Sequence, residues 1–384
     1  MLAVLNQHAD QGMHYKLLNS RLREKNALWE PFQEVLENVG EADYMRLTEL
    51  IVEKSIFELQ ESVNSGDLSY EELITFYIYR IRKMESDGDR FINGVISLNP
   101  AAIERARQLD EIEFKDEGRD KNPIFGIPIL LKDNIGFAGM PTTAGAAALM
   151  ENHTTNAFIT DRLIEQGAIV LGKANLSEWA YFFCRDCPSG YSAVGGQTLN
   201  PYGRLEFGTG GSSAGSGASI AANYAAVAVG SETSGSILSP SSANSLVGLK
   251  PTTGSLSRSG VVPISSTLDT VGPMGRSVAD VVTLFNAMVG FDGEDLAMPR
   301  LSDDLQLIIR QAPTDNGTFG ILTSYADNMQ YQNAVRLLSE NGFKLQEVDF
   351  RNETHPRFSE FLGAEMKRDL VSYLQKHASA SVKV

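Results

Sequence analysis

The stretch from Gly210 to Ser236 reads GGSSAGSGASIAANYAAVAVGSETSGS, and it organises the rest of the chain. Two clusters of glycine and serine enclose an apolar run. Glycine allows close backbone approach and positive φ angles, so each cluster is typical of a tight turn. Between them, residues 218–222 predict a buried helix and residues 225–229 predict a short buried strand. Both turns would then lie at strand and helix ends, where α/β proteins build their sites.

Other interpretations of these turns are weaker. Gly/Ser clusters are most often linkers, but a linker does not enclose an Ala/Val/Ile run fit for a core. No lysine follows the glycines, as a phosphate loop requires, and the dinucleotide pattern fails because Ser213 stands where its third glycine should be. Residues 211–215 do match Gly-x-Ser-x-Gly, the nucleophile elbow of α/β-hydrolases. That elbow must follow a strand, and residues 203–208 make a poor one, so this interpretation is disfavoured.

Composition and charge bound the class of protein. The chain has 384 residues, 42% of them hydrophobic, and a formal net charge of −15. This length fits one large domain or two ordinary ones. The acidic balance disfavours direct nucleic-acid binding, which depends on cationic surface. We find neither a signal-peptide pattern nor an apolar run approaching 18 residues, so we expect a cytoplasmic protein without a membrane partner.

The two cysteines, Cys184 and Cys187, are spaced Cys-x-x-Cys. A redox pair or half of a zinc site has this spacing. All five histidines lie far away in sequence, so we expect no metal, no cofactor and two free thiols in a reducing compartment.

Activity should therefore survive strong chelators in an assay with and without added metal. Loss of activity on chelation, restored by zinc, would show that the cysteines are metal ligands.

Hydrophobic periodicity indicates alternating helices and strands. Apolar residues at helical spacing predict a helix over residues 28–39, stopped by Gly40, and a second over 47–63. Ser69 and Glu72 predict a capping box for a third helix. Strands are predicted at 95–98, 123–132 and 168–171, helices at 101–109, 158–166 and 277–289, and a β-α-β unit at 319–348. This alternation indicates an α/β fold, with residues 1–55 as an N-terminal helical segment packed on a core of residues 56–384.

One strand ends unusually. The apolar run over residues 123–131 closes in Lys132, followed by Asp133 and Asn134. A lysine at this position could reach solvent or pair with Asp133. It could also be held neutral by burial and serve as a base.

The chain resembles the amidase signature family, nearest to its bacterial peptide-amidase-like branch, over about residues 56–288. Fragments similar to the family follow in its order: Phe125–Asp133, Gly172–Glu178, Gly195–Pro201, Gly210–Ser236, Val247–Thr252 and Asp269–Met274. The resemblance implies a large mixed, mostly parallel β-sheet covered by α-helices. Members usually continue well beyond the point that corresponds to Val384, so the core is expected to be short at its C-terminus.

The same resemblance implies a serine–serine–lysine triad. Ser236 would be the nucleophile, and Lys132 would be the base. Ser212, preceded by a cis peptide bond in the family, would relay the proton between them. A serine hydroxyl needs such a base because it is essentially un-ionised at neutral pH. No histidine lies in these motifs, and serine–lysine arrangements are known variants of the triad.

Supporting residues also follow from the resemblance. Backbone amides of Thr233, Ser234, Gly235 and Ser236 would form the oxyanion hole, while Gly211 and Ser213 would support the site. Many members carry Asp or Gly where this chain has Ser234.

Three functions remain open on the sequence. The first is an amidohydrolase that cleaves a linear carboxamide of a small molecule or peptide through an acyl-enzyme and releases ammonia or an amine. An alternative is the ammonia-releasing glutaminase-type subunit of a transfer-RNA-dependent amidotransferase. A catalytically silent binding protein is the third. The N-terminal helical segment favours the first, and nothing in the composition opposes a homodimer.

Overall fold

The computed structural model describes residue 14 and residues 20–112, 122–183, 187–299, 305–309, 317–349 and 355–382. Its α-helices are α1 (Gln33–Glu37), α2 (Glu41–Ile51), α3 (Ile56–Asn64), α4 (Tyr70–Glu85), α5 (Ala102–Asp110), α6 (Phe158–Glu165), α7 (Ala214–Ala221), α8 (Leu238–Ala243), α9 (Val278–Met288), α10 (Met329–Glu340) and α11 (Phe358–Lys376). Its strands are β1 (Val95–Leu98), β2 (Pro128–Lys132), β3 (Ile169–Ala174), β4 (Tyr191–Ser192), β5 (Gly196–Gln197), β6 (Val227–Glu232), β7 (Val247–Gly248), β8 (Thr270–Gly275), β9 (Thr318–Leu322) and β10 (Lys344–Val348).

A six-stranded sheet, in the order β1-β3-β2-β6-β8-β7, forms the centre of the first compact unit. This unit comprises residues 1–307 and 364–384. The three central strands β3, β2 and β6 run parallel, whereas β1, β8 and β7 pair antiparallel with their neighbours. The predicted mixed α/β sheet covered by helices is confirmed. Because β2 and β6 are adjacent and parallel, their carboxyl ends meet at one edge of the sheet.

The stretch that organises the sequence folds as a turn, a helix, a strand and a second turn. Helix α7 is buried along seven of its eight residues, and every residue of β6 is buried. The predicted buried helix is therefore confirmed, and the predicted strand begins at Val227, two residues later than the periodicity suggests. The side chains of α7 are small, so this helix can lie against the central strands, since a helix without bulky residues can approach a sheet closely.

The N-terminal helices differ from their prediction. Residues 28–39 form two short 3₁₀ turns followed by α1, because Pro31 has no N–H to continue a helix begun before it. The predicted helix over 47–63 is two helices, α2 and α3. Ser55 and Glu58 form a capping box that starts α3 and so interrupts the apolar periodicity.

The apolar residues of this N-terminal region are nevertheless buried. Leu28, Phe32, Leu36 and Tyr44 belong to the same core as the strands of the large sheet. The division of the chain at residue 55 stays a prediction.

The remaining elements agree with the sequence patterns. The capping box of Ser69 and Glu72 starts α4, and the side chain of Ser277 accepts the Asp280 amide at the start of α9. Strand β2 starts at Pro128 and is therefore shorter than the predicted strand over 123–132. Strand β3 extends to Ala174, beyond the predicted end at residue 171.

A second compact unit comprises residues 308–363. Its strands β9 and β10 pair in parallel, with Lys344 opposite Thr318 and Val348 opposite Leu322, and α10 connects them. The predicted β-α-β unit over residues 319–348 is thus confirmed.

The cysteine pair differs from its prediction. Cys187 is disulfide-bonded, so the expectation of two free thiols is wrong, and Cys184 lies outside the described residues. The Cys-x-x-Cys spacing admits a disulfide or free thiols, and the sequence alone does not select between them.

Membrane-spanning helices were not expected from the hydropathy of the chain. In the described ranges no helix is long and apolar enough to cross a membrane.

Candidate active site

Lys132, the last residue of β2, is completely buried at the carboxyl edge of the sheet. Its Nζ lies 2.8 Å from Ser212 Oγ, 3.0 Å from the Ser231 carbonyl oxygen and 3.0 Å from Ser231 Oγ. Asn134 Nδ2 also donates to Ser231 Oγ, at 2.9 Å. The lysine therefore points at the turn before α7 and at the end of β6, which are distant in sequence.

Burial lowers the pKa of Lys132 to about 7, although the negative charges of Asp269 and Glu232 act in the opposite direction. Desolvation disfavours the charged form of an amine, and the neighbouring carboxylates offset only part of that cost. At neutral pH a large fraction of Lys132 is therefore a neutral amine, which can accept a proton.

The alternative roles considered for Lys132 do not match this geometry. The side chain does not reach solvent, and Asp133 lies instead beside Lys173 of β3, with 3.6 Å between Lys173 Nζ and Asp133 Oδ1. Asp133 also accepts the hydroxyl of Thr143, and Lys173 donates to the carbonyl of Ile135. A second buried lysine thus neutralises Asp133.

Ser212 lies in a tight turn that begins with two glycines. The peptide bond between Gly211 and Ser212 is cis, and Gly210 has a φ of +64°. A Cβ atom on Gly210 would lie 2.7 Å from backbone atoms of Ser239 and Pro240, so this position requires glycine. The Ser177 amide donates to the Ser212 carbonyl at 3.0 Å, so the backbone of this turn is held from the neighbouring loop.

Ser213 connects the two turns that carry Ser212 and Ser236. Its amide donates to the Ser236 carbonyl at 3.1 Å, and its Oγ lies 3.2 Å from the carbonyl oxygen and 3.3 Å from the amide nitrogen of Ser231. No strand precedes it among residues 203–212, so the strand that a nucleophile elbow requires is absent there. Ser213 is placed to support the site.

Ser236 lies in the turn between β6 and α8 and is partly exposed. Within the described residues no hydrogen bond joins its Oγ to that of Ser212. The structure thus brings Lys132 and Ser212 into contact, and the Ser213 amide joins the turn of Ser212 to the carbonyl of Ser236.

Glu232, the last residue of β6, shapes the turn around Ser236. Its two carboxylate oxygens accept the amides of Gly235 at 2.7 Å, Ile237 at 2.7 Å and Leu238 at 3.0 Å. The Gly235 amide is therefore engaged, whereas the Thr233, Ser234 and Ser236 amides donate to no group in the described part of the chain. The sequence contained a signal for Glu232, because it is the only acidic residue between Gly210 and Ser236.

Asp269 is a second carboxylate at this turn and is half-buried. It accepts the hydroxyl of Thr233, and its other oxygen accepts the amides of Ile264 at 2.7 Å and Ser265 at 2.9 Å. Burial raises its pKa, and these hydrogen bonds act in the opposite direction. In the sequence, Asp269 stands out only as the first residue of a family-like motif.

A cavity of about 270 Å³ adjoins these groups. Its walls include Asn134, Ala180, Ser231, Thr233, Asp269 and Tyr373. No group of three or more His, Cys, Asp or Glu side chains placed to hold a metal ion occurs in the ranges that the structure describes.

Comparisons with known proteins show the family of this chain. The model of the amidase family matches residues 72–380. A probable amidase of Arabidopsis thaliana is 42% identical over 281 residues, which cover 71% of this chain and 53% of the relative. A glutamyl-tRNA(Gln) amidotransferase subunit of Symbiobacterium thermophilum is 41% identical over 233 residues, covering 60% of this chain and 46% of the relative.

The similarity extends to solved structures. Native peptide amidase from Stenotrophomonas maltophilia superposes with a TM-score of 0.75 at 38% identity, over 85% of this chain and 68% of that one. The chain spans about half the length of the curated relatives it matches. The family model covers most of the sequence, including Lys132, Ser212 and Ser236. This chain therefore belongs to the amidase family.

Proposed function

We propose that this protein hydrolyses a linear carboxamide through Ser236, Ser212 and Lys132, with release of ammonia or an amine. The observation that carries the proposal is the contact of 2.8 Å between the buried Lys132 Nζ and Ser212 Oγ. A lysine with a pKa near 7 can act as a base at neutral pH, and it lies at the turn that Ser213 joins to Ser236.

The proton path follows from this arrangement. Ser236 Oγ attacks the carbonyl carbon of the amide, its proton passes to Ser212 Oγ, and the proton of Ser212 passes to Lys132 Nζ. The oxyanion is then stabilised by backbone amides of the Ser236 turn, for which Thr233, Ser234 and Ser236 are the donors that Glu232 leaves available.

The leaving group and the acyl-enzyme complete the cycle. The proton on Lys132 returns through Ser212 to the leaving nitrogen, because an amide nitrogen leaves only as a neutral amine or ammonia. The acyl group then forms an ester with Ser236. Water attacks that ester by the same relay, which regenerates Ser236 and releases the acid.

A panel of amides tests this function. Peptide amides, aliphatic amides, anilides and glutamine would be incubated with the full chain, and released ammonia or amine would be measured. We expect hydrolysis of peptide or aliphatic amides. Selective hydrolysis of glutamine would support the glutaminase alternative, and no hydrolysis of any of them at any pH between 5 and 10 would contradict the proposal.

The pH dependence is a sharper expectation. Only neutral Lys132 accepts a proton, so kcat/KM should fall about tenfold per pH unit below about 7 and reach a plateau above it. Measuring kcat/KM from pH 5 to pH 10 checks this. A flat profile would show that Lys132 is not the base, and a rate that still rises about tenfold per pH unit up to pH 10 would show that Lys132 keeps the ordinary lysine pKa of 10.5.

A further inference from the structure

We propose that Glu232 and Asp269 are positioning residues whose carboxylates hold the nucleophile turn, residues 233–238, in its reactive shape. This inference rests on the proposed function and names two groups outside the triad. Neither residue would touch the substrate, and both would act through the turn and through Lys132.

The hydrogen bonds of Glu232 carry the first step. Glu232 is only 4% exposed. Its carboxylate accepts hydrogen bonds from backbone amides on both sides of Ser236, those of Gly235, Ile237 and Leu238. Hydrogen bonds to an ionised acceptor are about twice as strong as neutral ones. The turn cannot change its shape without breaking several of these bonds, so Glu232 fixes the backbone that presents Ser236.

Glu232 also decides which amides remain for an oxyanion. Because the Gly235 amide donates to Glu232, it is directed towards the carboxylate. The amides of Thr233, Ser234 and Ser236 have no such partner in the described residues. A change at residue 232 should therefore disturb donor geometry as well as the position of Ser236.

Asp269 holds the beginning of the same turn. The Thr233 hydroxyl donates to it, and the amides of Ile264 and Ser265 bind its other oxygen. Since Thr233, Ile264 and Asp269 all line the cavity, this carboxylate links the nucleophile turn to the cavity wall.

The two carboxylates also act on the base. Glu232, at the end of β6, and Asp269, just before β8, are the charged groups that raise the pKa of Lys132 against burial. Burial raises the pKa of Asp269, and the positive charge of Arg258 is one of the influences that oppose this rise. Asp133 and Lys173 also lie beside the end of β2 and pair with each other. Removing either carboxylate charge should thus leave Lys132 with a lower pKa.

The test compares Glu232→Gln and Asp269→Asn with wild type. We expect kcat/KM to fall about 10- to 100-fold, which corresponds to losing one or two charged hydrogen bonds. We also expect the acid limb of the pH profile to move to lower pH. The matched control is Glu294→Gln. Glu294 lines the same cavity, but its side chain is 78% exposed, so this substitution removes a solvated carboxylate. It should leave the limb in place.

A merely structural role predicts a different pattern. It would reduce the folded fraction in circular dichroism and leave the acid limb of the remaining enzyme unmoved. The inference would be overturned if either variant kept the wild-type kcat/KM or kept the acid limb of the pH profile at its wild-type position. Should Glu232→Gln fail to fold, Asp269→Asn decides the question.

A second measurement separates this inference from the proposed function. Lysine labelled with ¹³C at Cε reports protonation directly by NMR, and Lys132→Arg identifies the resonance. If wild type hydrolyses no amide, the proposed function fails, but the Lys132 titration should still shift to lower pH in Glu232→Gln. An unchanged titration in both carboxylate variants overturns the inference whether or not the enzyme is active.

Discussion

Ser236→Ala is expected to abolish amide turnover, by about four orders of magnitude or more, and to abolish covalent labelling by a serine-directed fluorophosphonate. Removal of a nucleophilic serine leaves only the residual catalysis supplied by binding and the oxyanion hole. Ser236 is partly exposed in the turn that Glu232 holds, so loss of its hydroxyl should not disturb the core. Labelling is measured by intact-protein mass spectrometry, and folding by circular dichroism.

Ser213→Ala is the matched control for this experiment. Ser213 is fully buried and its Oγ bonds to the backbone of Ser231, so we expect weakened activity and continued labelling. Labelling that persists in Ser236→Ala and disappears in Ser213→Ala would show that Ser213 is the nucleophile. The nucleophile elbow would then be the better interpretation of residues 211–215.

Lys132→Arg is expected to be as inactive as Lys132→Ala, although arginine keeps the positive charge. A guanidinium does not lose its proton in a protein, so it cannot accept the proton of Ser212. It would also place a permanent charge at a site that is completely buried and bonded to Ser212 and Ser231. The measurement is kcat/KM for both variants, with circular dichroism to establish that each is folded.

Lys376→Arg serves as the control for the same substitution. Lys376 lines the cavity, and its side chain is 59% exposed, so arginine should be tolerated there. If Lys132→Arg retained activity within about tenfold of wild type, a difference of about 1.4 kcal/mol in barrier, Lys132 would not be the general base. A structural cation would then explain the position better.

Local patterns predicted most of the elements. The apolar runs of β2 and β6, the small residues of α7 and the capping box of Ser69 all depend on neighbours within a few residues, so the sequence suffices to recognise them. Periodicity failed where one residue changes the backbone within an apolar run. Pro31 and Ser55 interrupt helices whose apolar spacing continues past them.

The candidate triad was also available from the sequence, but through family motifs and not through geometry. The contact of Lys132 with Ser212 joins residues 80 positions apart, and that with Ser231 joins residues 99 apart. The pairing of β2 with β6 brings Lys132 and Ser231 to one edge of the sheet, and the Ser177 amide binds the carbonyl of Ser212 in the turn before α7. The family motifs therefore predicted which residues form the candidate triad, and the fold determines the distances between them.

The partners of the buried charges were decided by the tertiary structure alone. Asp133 follows Lys132 in the chain, yet it pairs with Lys173 on the neighbouring strand. The sequence marks Glu232 and Asp269 by their positions in motifs but does not show their partners, which are the backbone and a hydroxyl of the nucleophile turn. The sequence by itself determined which groups the chain carries at its strand ends. Whether each group is buried, and which partner compensates its charge, depends on strands and loops distant in sequence, because desolvation is a property of the packed surroundings.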